Sequence, residues 1–325
     1  MRRGIGLAVV AVLLGGAPVA RADPRDPIDE ARRAAQATPF KGVVSLQWRD
    51  GTAVHTEQVQ VEGAGGNFVV RGRRSAMARG SERLLAQSGA GWELLWPSDS
   101  IPSARPAMDP DYDFRTTAEA VVAGHPAHVV EVRKEGLVRE RIYLDDATGL
   151  LLRREQFGDD GSLERAVAFD TISIGATSAT APALPHQVTP QLPRPMAAGG
   201  LPARLAAGYQ RLAAFRSNGV LHVLYDDGFA EVSLFEQAGR LDKGDLPAHA
   251  RPVSLSNLRG WRFSWPGGEG VMWGAGRTVY TLVGDVPADE LVDVARSVPV
   301  QRSSSVAHRL RQACRSLVEA FCGNL

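Results

Sequence analysis

His125 and His128 stand three residues apart, near enough in sequence for two imidazoles to reach one metal ion. A zinc site needs a fuller ligand set in a defined geometry. Pro126 lies between the two histidines and no third ligand is close by, so the segment reads as a turn leading into a strand. No metal is expected there. Asp145-Asp146 and Asp159-Asp160 are paired carboxylates, which acid–base chemistry could use if a cleft shifted their pKa values. Both pairs fall in turn sequences, where such groups cap backbone N–H groups or stay in water. Gly63-Ala64-Gly65-Gly66 and Gly267–Gly270 lack the spacing of a phosphate loop or a dinucleotide fingerprint. A nucleophile elbow and a zinc-protease motif are missing as well. The sequence therefore predicts no catalytic residue and no cofactor. Only a Ser/His/Asp constellation assembled in three dimensions would make the chain a hydrolase.

Tryptophan offers a different kind of chemistry, that of binding. Val44, Leu46 and Trp48 alternate with polar residues and so share one face of a strand. Trp92, Leu94 and Trp96 do the same in a second strand. Such faces are either hydrophobic core or an apolar concave surface that accepts an acyl chain or a peptide.

These residues need a sheet to position them. Asp26-Pro27 opens a helix over Pro27–Ala37, which Thr38-Pro39 ends. From Phe40 the period is two, and short strands follow as far as Ile174. Arg49-Asp50-Gly51, Lys134-Glu135-Gly136, Asp145–Gly149 and Gly158–Gly161 supply the turns. Pro97–Tyr112, with four prolines, reads as a long loop. The fold class is α+β: a curved antiparallel half-barrel with a helical lid over residues 23–174, followed by a smaller α+β domain over 201–299. In the second domain Leu201–Phe215 reads as helical. Val220–Tyr225, Asp226-Asp227-Gly228 and Phe229–Glu236 form the clearest hairpin in the chain. Trp261, Phe263 and Trp265 share a strand face, Val271–Trp273 and Thr278–Val283 make another hairpin, and Pro287 opens a helix to about Ser297.

Residues 175–200 separate the two domains. Five prolines among Ala, Thr, Ser and Gly make this stretch an extended, semi-rigid linker that sets the angle between its neighbours. Residues 1–22 read as a signal peptide: Arg2 and Arg3, the apolar run Ile5–Leu14, and Ala20-Arg21-Ala22 at the cleavage site. The expected location is periplasmic or otherwise extracytoplasmic, with an uncleaved anchor as the alternative. In the tail, 300–325, Val306, Leu310, Ala313, Leu317 and Phe321 fall near one helical face beside Arg309, Arg311 and Arg315. That face would pack on its own domain, on a partner or on an anionic membrane. Eight residues of continuous helix span roughly 12 Å, too far for Cys314 and Cys322 to bond each other. They would be free thiols or linked to another chain. Net charge is +1, without the basic excess of a nucleic-acid binder.

Several of these segments, in order, carry a resemblance. Tyr225-Asp226-Asp227-Gly228-Phe229, continuing through Ser233-Leu234-Phe235, resembles the S-D-G-L…S-V-F hairpin of the MucB/RseB family of sigma-E regulatory proteins, with Asp226 where the family often has Ser. Leu282–Pro287 with Leu291–Val298 is similar to that family's final strand and helix. Pro39–Val43 is similar to its F-x-G strand, Ile142–Leu150 to its W-L-D-x-x-T-G-L turn, and Phe169–Ile172 to a late strand of its first domain. The resemblance implies a first domain like the lipoprotein-carrier (LolA-like) fold. It also implies a non-enzymatic protein that binds the extracytoplasmic segment of a transmembrane anti-sigma factor and shields it from proteolysis in the envelope stress response. A lipid or envelope component would relieve the block. Tyr225, Asp227, Gly228, Ser233 and Phe235 would then be structural, and Val44, Leu46, Trp48, Trp92, Leu94 and Trp96 would face lipid or partner. The alternative is a lipid or lipoprotein carrier of the cell envelope.

Overall fold

Strand β1 (Phe40–Asp50) buries Phe40, Val44, Leu46, Trp48 and Asp50, while the residues between them stay partly exposed. That alternation is the rule for a sheet with one face on a core, and it recurs through the computed structural model. The structure describes residues 27–65, 67–72, 76–79, 83–88, 91–97, 106–175, 194–195, 200–217, 219–247 and 249–299. The leader, nearly all of the linker, and the tail with its two cysteines lie outside the described residues.

After α1 (Pro27–Ala37) and β1 come β2 (Ala53–Ala64), β3 (Asn67–Arg71), β4 (Ala76–Arg79), β5 (Arg83–Ser88) and β6 (Gly91–Pro97). β7 (Tyr112–Val122), β8 (His125–Lys134), β9 (Leu137–Asp145), β10 (Leu151–Phe157) and β11 (Leu163–Ile174) complete the first sheet. Its eleven described strands run in the order β6-β5-β4-β3-β2-β1-β11-β10-β9-β8-β7, all antiparallel. Two meanders are thus sewn together by β1 against β11. Bulges at Val43/Val44, Thr116/Ala118, Val132/Arg133 and Gln156/Phe157 add local twist and help curl the sheet into a half-barrel. Its core gathers Phe40, Val44, Leu46, Val59, Val61, Ile142 and Leu144. The lid is α1, which places Ala31, Ala34 and Ala35 on that core. Small residues let it approach closely, and Glu30 and Ala34 fill the space above Gly149.

The second sheet comprises β12 (Arg194–Pro195), β13 (Gln210–Ser217), β14 (Val220–Asp226), β15 (Glu231–Ala238), β16 (Arg251–Leu255), β17 (Leu258–Trp265), β18 (Gly268–Ala275) and β19 (Thr278–Gly284). Its order is β12-β13-β14-β15-β19-β18-β17-β16. Helix α2 (Ala288–Ser297) lays Leu291, Val294 and Ala295 on it, against a core that includes Tyr225, Trp273 and Tyr280. Asp289 and Glu290 in its first turn and Arg296 in its last suit the helix dipole.

Two expectations are corrected. Leu201–Phe215 is not a helix: Gln210–Ser217 is β13, paired with β14. Leu201, Leu205 and Tyr209 do share a buried side, as a helix would give. However, Ala207 and Gly208 take positive φ of 56° and 83°, which ends any helical run, and pairing with β14 overrides the propensity of the alanines. The far end of the linker is also not wholly irregular, because Arg194–Pro195 forms a short edge strand on β13. Proline is tolerated at such an edge.

Candidate functional site

Val44 and Leu46 are buried within the half-barrel core, and Trp48 is buried at the end of the same strand face. The Trp48 ring stacks on His55 of β2, with centroids 5.2 Å apart. Trp92, Leu94 and Trp96 belong to β6, whose side chains lie outside the described residues. Four strands separate β6 from β1, a path of roughly 24 Å along the curved sheet at the usual strand spacing. The two tryptophan strands are therefore not neighbours.

The hairpin that the sequence singles out reaches into the half-barrel. Asp227 shapes its tip: Oδ1 accepts from the backbone N–H groups of Phe229 (3.0 Å) and Ala230 (2.7 Å). Gly228 has φ +94°, and a Cβ there would collide with the Met108 backbone. So close an approach requires glycine. The next residue, Phe229, is part of the half-barrel core rather than that of its own sheet. Its ring lies 4.9 Å from Tyr112 and 5.9 Å from Phe114. The Asp109 N–H donates to the Asp227 carbonyl at 3.0 Å, stitching the tip to the segment before β7. Tyr225 donates to the Pro202 carbonyl at 3.0 Å, Ser233 pairs with Leu224 and Val283 inside the second sheet, and Phe235 stacks on His222 at 4.1 Å.

Buried charges surround this plug. Lys134, at the end of β8, donates to Asp227 (2.9 Å) and to the Ala207 carbonyl (3.0 Å), with Glu290 of α2 at 3.5 Å. Tyr112 donates to the same Asp227 carboxylate at 2.8 Å, and Tyr209 donates to Glu290 at 2.9 Å. Burial, followed by the Asp227 and Glu290 charges, holds the Tyr112 phenol well above its usual range, so it remains a donor. Burial alone would lower the Lys134 ammonium, but Glu290 and Asp227 outweigh it and the group is pushed up.

A second cluster lies along β10 and β11. Arg154 binds Glu140 through two nitrogens and also binds Asp285. Arg165 donates to Gln156 (2.7 Å), Asp285 (3.1 Å) and Glu269 (3.2 Å). Gln156 donates to the Asp285 carbonyl at 3.1 Å. Glu164 accepts from the Ala288 N–H at the start of α2, at 2.9 Å. A third contact joins the β1–β2 turn to β16, where Arg251 donates to the Asp50 carbonyl at 2.8 Å and its Nε lies 3.3 Å from the Asp50 carboxylate.

His125 and His128 do not converge. Each faces its own turn carboxylate, His125 with Asp145 at 3.3 Å and His128 with Asp146 at 2.9 Å. Asp145 is occupied in capping Ala147 and Thr148. Among the described residues no group of three or more potential ligands could hold a metal. Sequence reading missed the seam altogether. Lys134 looked like the first residue of a turn, and Asp227 like a hairpin residue with no further role. They meet across a sequence separation of 93.

A half-barrel under a helical lid, its mouth plugged by the hairpin of a smaller domain and its flank locked to that domain by buried ion pairs, defines a class of two-domain protein. Residues 41–192 match the family described as the MucB/RseB N-terminal domain. Among solved structures, a chain of the Pseudomonas aeruginosa MucA/MucB complex is similar at 22% identity and a TM-score of 0.53, covering 87% of this chain and 100% of that one. MucB in complex with MucA(peri) gives 21% identity and a TM-score of 0.53 over 86% and 100%. At that identity the likeness establishes a shared fold. A comparison with the curated proteins finds no match.

Proposed function

We propose that the chain is an extracytoplasmic negative regulator of a sigma-E-type stress response. It binds the extracytoplasmic segment of a transmembrane anti-sigma factor and shields that segment from regulated proteolysis. The observation that carries this reading is the MucB/RseB N-terminal domain over residues 41–192. Supporting it, the similarity in fold runs on through the smaller domain to a chain solved together with MucA. The two domains, fixed to each other by buried charges, offer one continuous surface to a peptide, which loses less entropy on a preorganised partner. The reading includes export by the leader at residues 1–22, and no helix among the described residues is long and apolar enough to cross a membrane. Lipid or another envelope component relieves the block. An acyl chain would reach the face of Val44, Leu46 and Trp48, and that of Trp92, Leu94 and Trp96 on β6, by displacing Phe229 from the half-barrel.

The test uses the purified chain without residues 1–22 and the tagged extracytoplasmic segment of the anti-sigma factor from the same organism. Capture of the chain by the segment, and slower cleavage of the segment by its initiating protease, are expected. No capture under native conditions, with an unchanged cleavage rate, overturns the reading.

A further inference from the structure

Glu269, second residue of β18, points its carboxylate across the seam. Its oxygens accept from Ser264 of β17 (2.9 Å) and from Arg165 of β11 (3.2 Å), and the side chain is buried. Glu164 of β11 and Arg262 of β17 also act on its charge, and Asp285 lies just after β19. Asp285 draws on the same Arg165, at 3.1 Å. Arg154 cannot make up the difference, because it is bound to Glu140 and to Asp285. Two guanidiniums, Arg154 and Arg165, thus serve three buried or nearly buried carboxylates, Glu140, Asp285 and Glu269. Arg262 is partly exposed, while Glu164 adds a fourth acid to the surroundings. A buried carboxylate that lacks a cation of its own is more stable with a proton than without.

We propose that the seam is a proton-linked latch: closing the smaller domain on the half-barrel takes up a proton at Glu269, so mild acid tightens the pair and mild alkali loosens it. The latch needs no knowledge of the partner and stands apart from the regulator reading. Burial pushes the Glu269 carboxyl up to about 8, against the pull of Arg165 and then Arg262. Parted from the half-barrel, the group returns to water and towards its ordinary value of 4.5. Between those limits the closed form holds a proton that the open form lacks. The ratio of closed to open therefore falls by about tenfold for each unit of rising pH. Below the window both forms are protonated, and above it both are ionised, so the ratio is flat on either side.

Amide hydrogen exchange on the chain without its leader reads the latch at bonds that cross the seam: the N–H of Asp109 to Asp227, of Asp159 to Asp289, and of Ala288 to Glu164. Their protection factors, corrected for intrinsic exchange, should fall as pH rises from about 4.5 to about 8 and then level off. Core amides of β14 serve as the control and should keep theirs. In Glu269→Gln, which stays neutral and can still accept from Ser264, the seam amides should lose that slope. The same slope in both proteins, or none in the parent, overturns the proposal. Should the variant fail to fold, carboxyl NMR of Glu269 in the parent decides. A midpoint near 8 supports the latch, and one in the ordinary carboxylate range overturns it.

Discussion

Lys134 lies between Asp227 and Glu290, and all three side chains are buried. Replacing it with methionine keeps the bulk of the stem but removes the cation that both buried carboxylates face. Breaking a buried pair from one side costs about 3–5 kcal/mol. Urea denaturation of Lys134→Met should show a loss of that order, with Asp227→Asn partly restoring stability in the double variant. His222 tests the opposite sign of pH dependence. It stacks on Phe235 at 4.1 Å and meets Phe215 edge-on at 6.3 Å, and burial lowers its pKa from 6.5 to about 3. The folded state holds the neutral imidazole and the unfolded state the charged one. Stability present above pH 6.5 is therefore lost as pH falls toward about 3, by on the order of 4 kcal/mol if nothing else relaxes. His222→Phe should flatten that part of the Tm-against-pH curve. Glu269 works the other way, stabilising the closed form as pH falls, so the two groups can be separated by single substitutions.

The hairpin of β14 and β15 is the element that couples the two domains, because Asp227, Gly228 and Phe229 each meet the half-barrel differently: by charge, by close backbone approach and by filling its core. Phe229→Ala should destabilise the chain by about 3–5 kcal/mol, the usual range for an emptied aromatic site. Loss of protection at the Asp109 amide would show that the damage is at the seam. An unchanged amide there would show that Phe229 does not hold the domains together. Much of the local architecture was legible: α1 from its proline entry and Thr38-Pro39 exit, β1 from the alternation of Val44, Leu46 and Trp48, and the hairpin from Asp227-Gly228. β7 was not, since Asp113, Arg115, Thr116, Thr117 and Glu119 lie exposed on an edge strand and leave little apolar period to read. β13 was hidden by alanines whose helical preference its partner strand overrules. The plug could not be read because a hairpin tip looks the same in sequence whether it meets water or another domain.

For the whole molecule, the sequence points to residues 175–200 as the joint that sets the angle between the domains. The structure adds a seam with three anchor points, Asp50 with Arg251, Asp227 with Lys134, and Asp285 with Arg154 and Arg165. If those anchors dominate, cutting the chain at a protease site introduced within residues 176–193 should leave both fragments eluting together on gel filtration at neutral pH. Separate elution would return control of the geometry to the linker. The order of the first sheet carries a further consequence, one of time. Ser45 and Asp170 hydrogen-bond across 125 residues of sequence, because β1 finds its second neighbour only in β11. During synthesis, β1 can pair at once with β2, yet its other edge must wait until the eleventh strand has been made. Closing so long a loop is slow for a β topology. The half-barrel is therefore assembled late from two early meanders, and until then β1 offers an open edge on which the nascent chain is most exposed to mispairing.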